Sequence, residues 1–232
     1  MNGQTSAPAL GLSAQEDSAS HQWAQCCAWG VAVANHALNL SRFRVHRRPD
    51  RAYDHVAACI CDAILQAGLN YNAVVAPRIS VLQQCTSDLV TILDFKEIGE
   101  SELRRILRWR GIEKPARIVR VLRFLEVAGV NTVEDLERFL SCGLRSASLL
   151  GIHGVGRKTV DYLRLLVGGG GVAIDRHIRR FSLEAGADCS NDQELSVVIE
   201  IAAGALKIRS QDLDWSIWNY MSRRRSQTIQ AD

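Results

Sequence analysis

The 232-residue sequence has no apolar run that approaches the roughly 18 residues needed to cross a membrane. Its first 22 residues contain neither a basic start followed by an apolar stretch nor an arginine-rich amphipathic pattern, which argues against a secretory or transit signal. We therefore expect a protein that is soluble and intracellular, with no membrane partner. It would lie in the cytoplasm or nucleoid, or in the nucleus of a eukaryote. Residues 1–20 are predicted to form a disordered tail.

A cysteine pattern typical of a disulfide framework is also missing. The seven cysteines are an odd number and lie in apolar helical contexts, as Cys26, Cys27, Cys59 and Cys61 do. This placement predicts reduced, buried thiols in a reducing compartment.

Alternating strand-like runs are scarce, whereas apolar residues recur at three- and four-residue spacing along most of the chain. This periodicity predicts an all-α protein. No repeat of 20 to 50 residues indicates a solenoid. The predicted helices cover about residues 22–40, 53–66, 73–85, 87–93, 100–108, 115–128, 133–140, 145–150, 157–167, 176–185, 192–206 and 214–222.

Positive charge is concentrated in one segment, although the formal net charge is only +3. Residues 104–123 contain eight basic residues and a single acid, Glu113, which gives a local charge of +7. Such a segment attracts phosphates and makes their binding dependent on salt. A solvated helix face explains the segment equally well when it is taken alone.

The stretch LLGIHGVGRKTVDYL predicts a short helix, a glycine turn and a second helix that starts at once. Gly154 and Gly156 allow positive φ and close approach of another molecule, and the first N–H groups of the new helix form an anion site. Lys158 stands in the first turn of that helix, where the dipole disfavours a cation. A plain helix-turn-helix connection is the alternative interpretation of the glycines.

The longer run LLGIHGVGRKTVDYLRLLVGGGGVAIDRHIRRF resembles the hairpin, glycine loop and aspartate signature of the endonuclease III (HhH-GPD) superfamily of helix-hairpin-helix DNA glycosylases. A looser likeness covers Gly111 to Ile118 and the segment ILQAGLNYNAV, so that the resemblance spans about residues 53–182. The matching positions of the signature are Leu150, Gly154, Val155, Gly156, Lys158, Thr159, Ile174, Asp175, His177 and Ile178.

The resemblance implies a two-lobed, all-α DNA glycosylase fold. A six-helix lobe would cover residues 51–171 and contain the helix-hairpin-helix motif at about 144–167. A terminal helical lobe would combine residues 21–50 with 172–225, and residues 226–232 would form a frayed carboxyl end.

The resemblance also implies catalytic roles for Lys158 and Asp175. An amine that attacks C1′ of a damaged nucleotide must be neutral, and a helix amino terminus and partial burial both disfavour the ammonium form. Asp175, 17 residues further on, would stabilise the cationic sugar and accept protons. The alternatives are a phosphate-contacting lysine and an aspartate that only caps the next helix.

DNA contacts are implied for two further groups of residues. The hairpin residues Gly154, Val155, Gly156, Arg157 and Thr159, together with Arg110 and Lys114, would hold phosphates. A second group would fill the space of an extruded nucleotide, and it comprises Gln66, Asn70 and Tyr71. An ordinary polar loop is the alternative interpretation of QAGLNYN.

The chain departs from the best-known members of the superfamily, which hold an iron–sulfur cluster through four cysteines near the carboxyl terminus. Here the last cysteine is Cys189, so we expect the cluster-free branch, with no cofactor and no metal. The expected partner is double-stranded DNA with a damaged or missing base, bound by a monomer. The lesion stays open between oxidised pyrimidines and 8-oxoguanine.

Three functions remain open at this point. The first is a base excision repair glycosylase with abasic-site lyase activity, which acts through an imine on Lys158 with help from Asp175. The second is a monofunctional glycosylase in which Asp175 activates water. The third is a non-catalytic DNA-binding module.

Overall fold

The computed structural model describes the backbone of residues 12–229 and the side chains of residues 20–224. Within these residues it contains twelve α-helices, one π-helical turn, one 3-10 turn and no strand, which confirms the all-α prediction. None of the described helices is long and apolar enough to cross a membrane. The α-helices are α1 Leu12–Asn39, α2 Val56–Leu65, α3 Ala76–Cys85, α4 Ile92–Phe95, α5 Glu100–Ile106, α6 Glu113–Val127, α7 Val133–Ser141, α8 Gly143–Ser148, α9 Arg157–Leu166, α10 Arg176–Glu184, α11 Asp192–Ala205 and α12 Ser210–Ile229.

The chain divides into two compact units, one formed by residues 47–175 and the other by residues 1–46 with 176–232. The unit of residues 47–175 contains eight α-helices, α2 to α9, rather than six. Three of these eight, α4, α5 and α8, are short helices of four to seven residues.

Helix α2 is the centre of the 47–175 unit, and all ten of its residues are buried. An apolar sequence, VAACICDAIL, accounts for this burial, since a helix that is hydrophobic all round is stable only inside a core. Ile60 and Leu65 of α2 are among the largest side chains of the unit that are less than 2% exposed. The others in the same core cluster are Phe95, Ile79, Leu82, Ile92, Leu103, Leu107, Ile118, Leu125 and Leu136.

Local sequence signals explain several helix boundaries of this unit. Thr132 forms the predicted capping box with Asp135, and Gly129 ends α6 in the left-handed conformation with φ of 77°. Helix α6 begins at Glu113, two residues before the predicted start at 115, so that Pro115 is its third residue. The residue after α5 with a left-handed backbone is Arg108, with φ of 48°.

In the other unit, α1 packs along α11. Gly30 permits this close approach, because a Cβ there would overlap the Ile201 side chain. Aromatic contacts join further parts of the unit: the Phe43 and Phe181 rings lie 5.5 Å apart, and the Phe43 and Tyr220 rings lie 5.7 Å apart.

Three sequence-based boundaries are corrected by the structure. Helix α1 begins at Leu12 rather than near residue 22, so the predicted tail is helical from residue 12, and residues 1–11 lie outside the described part. Helix α12 extends to Ile229 instead of fraying from residue 223, and residues 230–232 again lie outside. The helix predicted at 87–93 is the short α4 at 92–95, because Thr91 caps its start.

Candidate functional site

The glycine hairpin, residues 149–159, connects α8 to α9 and is anchored in the core of its unit. A 3-10 turn at Leu149–Gly151 follows α8, and Leu149 is buried. Val155 is also buried, and its N–H donates to the carbonyl oxygen of Ile152 at 2.9 Å. Because Leu149 and Val155 anchor the turn in the core, Gly154 and Gly156 are left exposed to solvent.

Gly154 needs to be glycine for two reasons. Its φ of 83° lies in the left-handed region, and a Cβ built there would collide with the guanidinium of Arg117. Arg117, on α6, reaches the hairpin and donates from Nε to the carbonyl oxygen of His153 at 3.1 Å. The turn therefore carries a cation that was not among the sequence-based candidates.

Helix α9 starts without a side-chain cap. Its N-cap is Gly156, which makes no side-chain hydrogen bond, and the first amides of any helix lack intrahelical acceptors. Lys158 is the second residue of α9, as predicted, but its side chain is exposed. The expected partial burial of this lysine was wrong, because the first turn of α9 packs on the core through Thr159 and Val160, whereas Arg157 and Lys158 are exposed.

Two of the hairpin residues proposed to hold a phosphate are directed inward. Val155 is a core side chain whose amide is already bonded, as described above. Thr159 is half-buried, faces a small apolar void beside Ile60 and Leu163, and donates its N–H to the carbonyl oxygen of Gly156 at 2.9 Å. The backbone N–H groups of both residues are therefore bonded within the turn, and Val155 has no side-chain donor to offer a ligand.

Arg157 remains on the surface at the start of α9, with 70% of its side chain exposed. Its Nε lies 3.9 Å from the Asp161 carboxylate, which also pairs with Arg164 at 2.9 Å. An exposed ion pair of this kind contributes little to stability. The guanidinium is thus accessible to an anion at the same end of the helix as Lys158.

Asp175 is half-buried and is the residue immediately before the first residue of α10. It follows three buried residues, Val172 to Ile174, which end the glycine loop after α9. Lys158 and Asp175 both belong to the 47–175 unit.

Lys114 is engaged within the protein, which corrects its assignment to DNA binding. Its ammonium donates to the carbonyl oxygens of Leu65 at 2.7 Å and Ala67 at 2.8 Å. These carbonyls follow the last turn of α2, where a cation is favoured by the helix dipole. Partial burial and the neighbouring Arg117 lower the pKa of Lys114 to about 8. Arg110, by contrast, is exposed, as predicted for a phosphate contact.

Replacement of Lys114 by Met is expected to lower the free energy of unfolding by about 1–2 kcal/mol, because two carbonyls at the end of α2 lose a charged donor. Urea unfolding measures the change. Arg120→Met, at an exposed position of the same helix, is the matched control and should stay within about 0.5 kcal/mol of the parent. Equal values for the two variants would contradict the capping role.

The candidate wedge residues lie around a π-helical turn, Tyr71–Val75. Gln66 is the half-buried C-cap of α2, and exposed Asn70 caps the π-turn by accepting from the N–H of Ala73 at 3.0 Å. Tyr71 is not directed outward as a wedge, since its hydroxyl donates to the buried Asp62 at 3.1 Å. The side chains of Asn70 and Tyr71 thus make contacts within their own unit, and a DNA contact of Gln66 stays a prediction.

Sequence reasoning missed the Asp62 cluster, defined as Asp62, Tyr53, Tyr71, Tyr162 and Arg48. Asp62 is fully buried in the middle of α2 and accepts from the Tyr53 hydroxyl at 2.7 Å. Tyr162, on α9, lies 3.5 Å from its other oxygen, and Arg48 lies over the Tyr162 ring at 5.5 Å. The one available signal was a lone acid inside an otherwise apolar helix, which implies buried partners.

Cysteines and acids do not converge on a metal. No group of three or more His, Cys, Asp or Glu side chains with metal-binding geometry occurs in the described part of the chain. All seven cysteines are free, and Cys85 and Cys142 are exposed, which corrects the prediction of burial for these two. The absence of an iron–sulfur cluster stays a prediction from the cysteine spacing.

Comparison with known proteins places the chain in a family. The family described as "Domain of unknown function (DUF8548)" matches residues 32–222. This range covers most of both compact units, and the chain belongs to this family. No curated protein and no solved structure matches the chain.

Proposed function

We propose that the protein is a DNA glycosylase with abasic-site lyase activity and that Lys158 is its nucleophile. The observation that carries the proposal is the glycine hairpin, with a left-handed Gly154, an uncapped helix start at Gly156 and Lys158 as the second residue of α9. The resemblance of this run and of Asp175 to the endonuclease III superfamily supports it.

The positions of the basic groups favour a phosphate at the hairpin. The uncapped amides at the start of α9 point along the helix axis and carry partial positive charge. Arg117 reaches the turn from α6, and Arg157 is exposed beside it. A guanidinium has five N–H donors, so Arg117 keeps donors beyond the one that His153 accepts. Nucleic acid binding should therefore weaken steeply as salt is raised.

The reaction requires the amine of Lys158 to attack C1′ while the damaged base departs with its bonding electrons. The result is an imine between lysine and the opened sugar, and elimination of the 3′ phosphate then cleaves the strand. Lys158 is exposed in the free protein, so bound DNA would have to supply the desolvation that favours a neutral amine. Asp175 would stabilise the developing positive charge on the sugar and accept a proton.

A panel of end-labelled duplexes tests the proposal. The panel contains oxidised, deaminated, alkylated and abasic nucleotides, each incubated with the full chain in the presence and absence of borohydride. We expect base release, strand cleavage and a covalent protein–DNA complex on at least one lesion. Reduction of the imine by borohydride gives a stable secondary amine, so a covalent protein–DNA complex reports an amine nucleophile directly.

Two other outcomes would redirect the assignment. An intact abasic strand after base release would favour a monofunctional glycosylase in which Asp175 activates water. Duplex binding without base release on any lesion, unaltered in Asp175→Asn, would favour a DNA-binding module. Each outcome contradicts a lysine nucleophile.

A further inference from the structure

The carboxylate at the centre of the Asp62 cluster is buried, where a negative charge is unfavourable. Asp62 is fully buried, and burial raises its pKa to about 6, although the Tyr53 and Tyr71 hydroxyls and Arg48 act in the opposite direction. At neutral pH the ionised form must be stabilised by its neighbours, and a buried ion pair replaced as a whole by well-packed apolar residues often loses no stability. Stability alone therefore gives a poor account of this acid.

The hydroxyls that face Asp62 come from three separate parts of the unit. Tyr53 precedes α2 and Tyr71 starts the π-turn, and both donate to the same carboxylate oxygen, at 2.7 and 3.1 Å. Tyr162, on α9, lies 3.5 Å from the other oxygen. Burial and the adjacent carboxylate raise the pKa of each phenol, so all three keep their protons as donors.

The remaining ionisable groups around the carboxylate are few. Arg48, which is 6% exposed, supplies the positive charge. Cys59 and Cys61 lie on α2 itself, and burial raises the pKa of both thiols, which are therefore neutral at physiological pH.

Two of the segments that donate hydrogen bonds to Asp62, the 66–75 segment and α9, contain candidate functional residues. Tyr71 belongs to the turn that follows Gln66 and Asn70. Tyr162 is four residues after Lys158 in α9, so the two side chains lie on the same face of the helix, one turn apart. A single buried carboxylate thus connects the 66–75 segment to the helix that holds the candidate nucleophile.

From this geometry we infer that Asp62 is a positioning residue, which fixes the 66–75 segment and the first turns of α9 relative to each other. A carboxylate suits the task because it only accepts hydrogen bonds and can take several phenols at once. An amide of the same shape presents one acceptor oxygen and one donor nitrogen. The functional importance of the connection depends on the proposed function, but the connection itself does not.

Hydrogen exchange of the full chain at neutral pH tests the inference without any substrate. Asp62→Asn leaves a single acceptor oxygen, which the phenols of the two segments must then share, so amides of residues 70–76 and of residues 157–166 should both exchange faster, by about tenfold. Tyr53→Phe is the control for α9: it removes a phenol from the same carboxylate and the 3.4 Å hydroxyl contact with Tyr71, so any faster exchange should be confined to residues 70–76. Tyr71→Phe should speed exchange in residues 70–76 and, to a smaller extent, in α9.

Global stability separates positioning from a merely structural role. Between about pH 4 and pH 6 the folded chain holds the Asp62 proton that the unfolded chain has released. The contribution of this carboxyl is therefore complete below pH 4 and is lost as the pH rises through 6. Urea unfolding should show this decline in the parent and not in Asp62→Asn, which we expect to be no less stable than the parent at pH 7.

The inference is overturned if exchange in Asp62→Asn is unchanged, is faster in residues 70–76 alone, or is faster evenly from α2 to α9. It is supported if both segments loosen while the free energy of unfolding is retained. Because neither measurement uses DNA, a failed lesion panel leaves this result intact. Conversely, base release on the lesion panel would still support the proposed function if the 66–75 segment and α9 prove to be independent of each other.

Discussion

Lys158→Gln should abolish the borohydride-trapped complex on whichever duplex the parent protein cleaves, with a loss on the order of 10³-fold or more. The amide cannot form an imine, yet it is close in size to the removed side chain. Because Lys158 is exposed and has no packing role, the variant should unfold at the same urea concentration as the parent. Denaturing gel electrophoresis of the reduced complex measures the loss.

Because the chain contains few lysines, the assignment of Lys158 as the nucleophile can be tested against every other lysine. The chain contains four, Lys96, Lys114, Lys158 and Lys207, so each can be replaced separately by Gln. Lys96 and Lys207 are exposed and serve as matched controls. Lys114 is the competitor, because its pKa of about 8 leaves a larger neutral fraction near neutral pH than an ordinary lysine has. If the trapped complex still forms in Lys158→Gln and is lost in Lys114→Gln, the nucleophile is Lys114, on α6, and not Lys158.

The helices could be predicted largely from the sequence because burial imposes their periodicity. Helix α6 places Ile118, Val121, Leu122 and Leu125 on its buried side, at the three- and four-residue spacing that the sequence displays. The helix at 133–141 was marked by its capping box. The prediction at 87–93 was wrong because a short apolar run does not distinguish a helix from an irregular segment that crosses the core.

The candidate site was predictable only where one stretch of chain builds it. The hairpin and the place of Lys158 on α9 follow from glycine spacing, which is a local property. Lys114 and Tyr71 were assigned to DNA because the resemblance to the endonuclease III superfamily implied such contacts. Their actual partners are 49 and nine residues away in sequence, and neither spacing is visible as a pattern. Asp62 meets Tyr162 across 100 residues, so only the fold reveals that cluster.

Gly154→Ala should lower the free energy of unfolding by about 2–3 kcal/mol, the largest stability change that we expect in the hairpin. A left-handed backbone costs an alanine about 1–2 kcal/mol. The new Cβ must also displace the guanidinium of Arg117, which costs about 1 kcal/mol through its bond to the carbonyl oxygen of His153. Urea unfolding of the full chain measures the sum.

A double-mutant cycle separates these two contributions. In an Arg117→Ala background no guanidinium stands in the way, so Gly154→Ala should cost about 1 kcal/mol less than it does in the parent. Gly156→Ala is the control, because a Cβ there meets nothing within 4 Å and its φ is −101°. Because Gly156 is the N-cap of α9, where glycine is preferred over alanine, we expect a loss of no more than about 1 kcal/mol, less than that of Gly154→Ala. If the two changes in the cycle are additive, Arg117 does not constrain residue 154, and the hairpin is held in shape by its backbone alone.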